Sequence, residues 1–267
     1  MKKSSISFSK MHGLGNDFVV IDAISPSFSL SSLPVAKLAD RHTGIGFDQL
    51  LLIEKSKKAD FFCRIFNADG SEAEQCGNGL RCVALFIHDK QLHSSNTFSI
   101  ETLAGVFPVE LLPDGLVRVT LPIGDIEKQN VTLSLPAESS VSLQTLSLGN
   151  PHAILEVTSI ADAPVATLGP AISTHSHFKQ GTNVGFMQVA NKHHLHLRTY
   201  ERGAGETNAC GSNACAAALA AMQSGLVESP VKVQFRLGSL LIERQNKNGP
   251  VLMTGPAEKL FEGNFYI

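Results

Sequence analysis

The 267-residue chain has no run of eighteen apolar residues, so no membrane-spanning helix is expected. It has no basic block either: 22 Lys and Arg are interspersed with 24 Asp and Glu, for a net charge of −2. That balance offers no electrostatic footprint for nucleic acid or an anionic membrane, and it leaves a small molecule as the expected partner. The start, Met1-Lys2-Lys3 followed by the mixed SSISFSK, lacks the apolar core of a secretion signal, so a cytoplasmic location is expected. The five cysteines are an odd number in a chain too large to be a disulfide scaffold, and reduced thiols are expected of them. The tight Cys-x₂₋₄-Cys pattern of structural zinc is absent, and the wider pairs Cys76/Cys82 and Cys210/Cys215 fall partly on different helix faces. Gly13 and Gly15 lack the continuation that would make them a nucleotide loop.

What the chain does have is a duplication. Glu74-Gln-Cys-Gly-Asn-Gly79 and Asn208-Ala-Cys-Gly-Ser-Asn213 carry cysteines 134 residues apart, about half the chain. The same offset aligns Gly15-Asn16 with Gly149-Asn150, Arg64-Ile-Phe-Asn67 with Arg198-Thr-Tyr-Glu201, and Glu72 with Glu206. Several registers at one offset imply two homologous domains. Two copies of one fold commonly pack about a pseudo-twofold axis, which would set Cys76 and Cys210 face to face across a cleft.

Each of these cysteines opens an apolar segment: Leu80, Val83, Ala84 and Ile87 after the first, and Ala214 to Met222, ended by Gly225, after the second. These segments are expected to be buried helices with the cysteines at their N-termini. A further helix is expected from Pro34 to Arg41, with Pro in its first turn. The alternating runs 117–121, 194–198 and 231–235 read as half-buried strands. The fold class is therefore α+β, with many strands and few helices in each half. His194 and His196 share one strand face, expected to be exposed and polar rather than a metal site. Cys63, Cys82 and Cys215 lie in apolar runs and are expected to be core residues.

A helix N-terminus presents N–H groups without intrahelical partners and a partial positive charge, so it binds carboxylate and favours thiolate. Inverting a stereocentre by proton transfer needs one acid/base group on each face of the carbon. Two opposed cysteines on a duplicated fold meet that need. A reversible disulfide in a redox protein, or an inactive ligand-binding relative, would use the same pair differently.

The chain resembles the diaminopimelate epimerase family nearly end to end. The motifs are Met11-His-Gly-Leu-Gly-Asn-Asp-Phe18, His42-Thr-Gly-Ile-Gly-Phe-Asp-Gln49, Phe66-Asn-Ala-Asp-Gly-Ser71, Cys76-Gly-Asn-Gly-Leu-Arg-Cys82, Gly149-Asn-Pro-His152, Thr182-Asn-Val-Gly185, Glu201-Arg-Gly-Ala-Gly-Glu-Thr207 and Ala209-Cys-Gly-Ser212. The resemblance implies interconversion of L,L- and meso-diaminopimelate, without pyridoxal phosphate or metal, in the route to lysine and peptidoglycan. It implies two domains related by a pseudo-twofold, each a mixed β-structure wrapped around a central helix. These are 1–118 with 255–267, and 119–254, with the active site in the cleft and the last strand returning to the first domain. Some members are homodimers. On the matching positions it implies Cys76 and Cys210 as catalytic thiols, with His152 and Glu201 beside them tuning protonation. Asn16, Gln49, Asn67, Asn150 and Asn183 would hold ammonium and carboxylate groups. Gly77-Asn78 and Gly211-Ser212 would supply helix-start N–H donors, and Arg202 would grip the distal carboxylate, a role suited to its planar cationic fork.

Two positions depart from the family pattern. Asn213 stands where glycine is usual, and it is expected to add a side chain beside the carboxylate-binding turn. Tyr200 stands where Trp is common. A racemase of glutamate, proline or hydroxyproline on the same scaffold is the alternative reading.

Overall fold

The computed structural model describes residues 5–25, 33–123, 126–135 and 140–266. The basic start at Met1 to Lys3 and the final Ile267 lie outside that range. The chain divides into two compact units, Met1–Thr120 with Gly255–Ile267, and Leu121–Thr254.

In the first unit the elements are β1 (Ser5–Gly13), β2 (Asn16–Asp22), α1 (Val35–Ala39), β3 (Gln49–Glu54), β4 (Phe61–Asn67), β5 (Glu72–Ala73), α2 (Gly77–Asp89), β6 (Thr97–Thr102), β7 (Gly105–Leu111) and β8 (Val117–Leu121). The second unit runs through β9 (Gln129–Ser134), β10 (Ser140–Ser147), β11 (Pro151–Glu156), α3 (Val165–Ser173), β12 (Asn183–Asn191), β13 (His194–Glu201), β14 (Gly205–Thr207), α4 (Gly211–Gln223), β15 (Val231–Phe235), β16 (Gly238–Glu243) and β17 (Val251–Gly255). The chain then returns to the first unit as β18 (Glu258–Tyr266), antiparallel to β1.

The sheets of the two units have the same wiring. In the first, β1 pairs antiparallel with β2, β2 parallel with β3, β3 antiparallel with β4, β4 parallel with β6, and β6 antiparallel with β7. The second repeats each step and direction in β10, β11, β12, β13, β15 and β16. The offset of 134 holds within the pairing itself. Phe18 faces Gln49 as His152 faces Asn183, and Ile65 faces Ala73 as Thr199 faces Thr207. The ion pair Arg64–Glu72, at 2.7 Å, returns as Arg198–Glu206 at 2.8 Å.

Each sheet wraps one apolar helix. α2 packs on β1, β2, β3, β7 and β18, burying Leu80, Val83, Ala84, Phe86 and Ile87. α4 packs on β10 to β13, β15 and β16, burying an unbroken run from Asn213 to Ala221. Its alanines let strands approach on every side, which a helix with one apolar stripe could not allow. A short helix covers part of each sheet's other face. Leu38 and Ala39 of α1 join a core with Val19, Ile21, Leu50 and Leu52, and Val165 and Ile172 of α3 join Ala153 and Phe186. Because both faces of β3 are covered, it reads as a continuous apolar run instead of alternating.

The strands expected at 117–121 and 231–235 appear with those bounds, and the one at 194–198 extends to Glu201. The first helix is shorter than expected. Pro34 caps it from outside, and it stops at Ala39 because the Asp40 carboxylate bonds the backbone N–H groups of His42 and Thr43, turning the chain away. His194 and His196 are half-buried with rings 4.8 Å apart, rather than forming an exposed face. Cys63, Cys82 and Cys215 are core residues, and burial pushes the Cys63 and Cys82 thiols well up. Among the described residues no helix is long and apolar enough to cross a membrane.

Candidate active site

The sheet wiring gathers the site residues of the first unit at one end. Asn16 opens β2, Gln49 opens its parallel neighbour β3, Asn67 closes β4, and Cys76 caps α2. The hairpin ahead of Asn16 turns on two residues, Leu14 and Gly15, both with positive φ (55° and 86°). Such a turn suits the strand twist, but Leu14 is strained there, and strain of this kind gathers at working sites.

Cys76 has extended backbone, and its Sγ accepts the Gly79 N–H at 3.4 Å. The same sulfur lies 3.6 Å from Asn16 Oδ1, which also accepts from Asn78 Nδ2 at 3.4 Å. Gln49 donates to Asn67 at 2.9 Å. Beneath the helix start lies Arg81, 0% exposed, donating to Asn78 Oδ1 and to the carbonyls of Gly77 and Pro256. The backbone N–H groups of Gly77 and Asn78 lie in the first turn of α2, at the positive end of the helix dipole. With the buried guanidinium below them, they make this end of the helix electropositive.

A charged cluster props Asn16 from behind. Its amide donates to Asp48, and Asp17 receives Lys10 and a two-pronged Arg41. Burial pushes the Asp17 carboxyl up, but the hydrogen bonds and charges of Arg41 and Lys10 outweigh it and lower its pKa to about 2.

The second unit places Asn150 after the turn at Gly149 (φ 94°), Asn183 at the start of β12, Glu201 at the end of β13 and Cys210 as the cap of α4. Cys210 is 7% exposed with Sγ 3.4 Å from Ser212 Oγ. Burial pushes its thiol well above the ordinary value and the Glu201 carboxylate adds to this, against smaller opposing contributions from Ser212 and the Asn213 N–H. Glu201 itself accepts from Thr207 Oγ1. Asn183 Oδ1 accepts the Arg202 backbone N–H at 3.1 Å, and the Arg202 guanidinium reaches the Gln180 carbonyl at 2.8 Å.

His152 is 0% exposed, with Nε2 3.0 Å from Asn150 Oδ1 and Nδ1 3.2 Å from Asn213 Oδ1. Burial lowers its pKa to about 4 against the opposing hydrogen bond with Asn213, and the Arg202 charge acts in the same direction as burial. Asn213 stands in the first turn of α4 with its side chain turned into the interior. Its side chain is wholly buried, bonding His152, the Val184 carbonyl and Thr199. Asn16, Gln49, Asn67, Cys76, Gly77 and Asn78 of the first unit thus correspond to Asn150, Asn183, Glu201, Cys210, Gly211 and Ser212 of the second, which adds His152 and Arg202 where the first has Phe18 and Ala68. Arg81, the Asp17 cluster, Thr207 and Thr199 were missed. Only the offset could have flagged the last, since Thr199 stands where the first unit has Ile65.

A family model described as diaminopimelate epimerase matches residues 8–128 and 144–260. A protein of Nitrosospira multiformis named diaminopimelate epimerase is 50% identical, covering 98% of this chain and 99% of its own. One of the same name from Stutzerimonas stutzeri is 47% identical over 96% and 97%. Among solved structures, a PhzF-family phenazine biosynthesis protein of Bacillus anthracis has a TM-score of 0.75 at 16% identity, over 99% of this chain and 100% of that one. A hydroxyproline epimerase from Agrobacterium vitis has a TM-score of 0.73 at 14% identity, over 98% and 93%. The solved structures share the fold, and the close sequence relatives fix the membership: the chain belongs to the diaminopimelate epimerase family.

Proposed function

We propose that Cys76 and Cys210 act as opposed base and acid on one α-carbon of diaminopimelate, interconverting its L,L and meso forms. The observation that carries this reading is the pair of equivalent cysteines, each capping the apolar helix of its unit. One thiolate removes the α-proton and becomes a thiol. The other thiol delivers its proton to the opposite face and becomes a thiolate, so the pair returns ready for the reverse reaction. The carbanion's charge passes into the substrate carboxylate, which the helix-start N–H groups of Gly77, Asn78, Gly211 and Ser212 would receive.

Burial and Glu201 favour Cys210 as the protonated partner in the resting enzyme, and this leaves Cys76, the cap of α2, as the base. Asn16, Gln49, Asn67, Asn150 and Asn183 would hold the reacting amino-acid end. Arg202 would hold the second carboxylate, the feature that separates this substrate from proline or hydroxyproline. His152, neutral at physiological pH, would adjoin the site as a hydrogen-bonding group rather than a charge. The test is turnover of L,L-diaminopimelate by C76A and C210A. Each should abolish epimerisation, and wild-type turnover from either would sink the two-thiol reading.

A further inference from the structure

The two units differ systematically around one buried ring. At the constant offset, Phe18, Leu51, Ile65 and Gly79 of the first unit become His152, Gly185, Thr199 and Asn213 in the second. All eight positions are buried. The first set is apolar, and the second is a hydrogen-bonded cluster. The volumes exchange as well. A Cβ on Gly79 would come within 3.3 Å of the Leu51 methyls, whereas a Cβ on Gly185 would come within 2.8 Å of Ile154 Cδ1 and 3.1 Å of Asn213 Oδ1. Glycine at 185 therefore leaves room for both the Ile154 methyl and the Asn213 amide, as glycine at 79 leaves room for Leu51. A buried polar cluster that replaces a workable apolar one carries a desolvation cost, so it is retained where it specifies something.

We propose that Asn213 is a positioning residue that fixes His152 in the Nδ1–H tautomer and thereby sets which end of the Asn150 amide is turned away from the ring.

The protons follow by elimination. The Val184 carbonyl can only accept, so the Asn213 atom 3.0 Å from it is the amide nitrogen. The amide oxygen then faces His152 Nδ1 at 3.2 Å, and the hydrogen between them belongs to the ring. Asn150 stands 3.0 Å from Nε2 through Oδ1, an arrangement that suits a ring protonated on both nitrogens. Burial of the ring, with Arg202 nearby, opposes that second proton at neutral pH. The neutral ring has a lone pair on Nε2 and takes the half-turned amide, with the Asn150 NH₂ on Nε2 and its oxygen released. That oxygen can then accept from an ammonium group, the role proposed above for Asn150. The tautomer is a property of the folded chain, and only its kinetic consequence rests on the proposed function.

The experiment is ¹⁵N NMR of protein labelled at histidine, at neutral pH. The wild-type protein should show His152 with Nδ1 protonated and Nε2 unprotonated, and N213A should lose that pattern, moving toward the Nε2–H form with a loss in kcat. Asn213→Ala keeps the Cβ at a helical position, and if it fails to fold the wild-type spectrum alone decides. An Nε2–H or doubly protonated His152 in the wild type overturns the proposal, as does an N213A spectrum identical to it. If the pattern appears and N213A alters it without changing turnover, the tautomer stands and the catalytic reading of His152 is what fails.

Discussion

At the scale of single residues, the charge placed beside each side chain decides what it can do. Asp17 holds its proton less tightly than an unfolded aspartate, at about 2 against 3.8, because Arg41 and Lys10 converge on it. A depressed carboxylate stabilises the fold above the unfolded value, and that stability is lost as pH falls from about 4 toward 2. Asp17→Asn should therefore lower stability by about 2 kcal/mol at neutral pH, and the difference from wild type should shrink to little near pH 2. Urea denaturation of both proteins across that range checks it. Arg202 is a different case, exposed and tied to the Gln180 carbonyl. If it holds the second carboxylate, Arg202→Ala should weaken diaminopimelate binding roughly 10- to 100-fold, read as a raised KM or a raised Kd for a substrate analogue. The sequence pointed to Cys76, Cys210, His152 and Arg202 because motif position and chemistry agreed there. It did not show that Asn213 faces inward, because the position of a residue on a helix's first turn does not reveal whether its side chain faces out or in. In the fold it faces in, bonding His152, the Val184 carbonyl and Thr199.

At the scale of elements, the cysteine-capped helices were legible because long apolar runs opened by Gly-rich polar segments leave few alternatives. α4 is buried from Asn213 to Ala221, six of those residues being alanine, so its close fit depends on small side chains. Ala217→Leu should overpack this interior and lower stability by about 1–3 kcal/mol, seen as a lower urea midpoint. The short helix α1 was harder to bound. Its pattern continues past Ala39, and the stop comes from the Asp40 side chain capturing the next two backbone N–H groups. Local side-chain competition of that kind carries no periodic signal.

At the scale of the whole molecule, the duplication was visible as a single offset, and the identical strand wiring of the two units shows how deep it runs. Most of the fold class followed from it. The offset is also informative where it fails to repeat. Asn67 against Glu201, Ala68 against Arg202, and Arg81 against Cys215 are exchanges that place different charge in the two copies. In the second unit, burial and the Glu201 carboxylate push the Cys210 thiol up. The most direct measurement is incubation of L,L-diaminopimelate with the enzyme in D₂O, beside glutamate and proline. The account predicts meso product carrying solvent deuterium at the inverted α-carbon, no exchange into the other two amino acids, and no inverted product from C76A or C210A. Inverted product without deuterium, or equal exchange into proline, would contradict it.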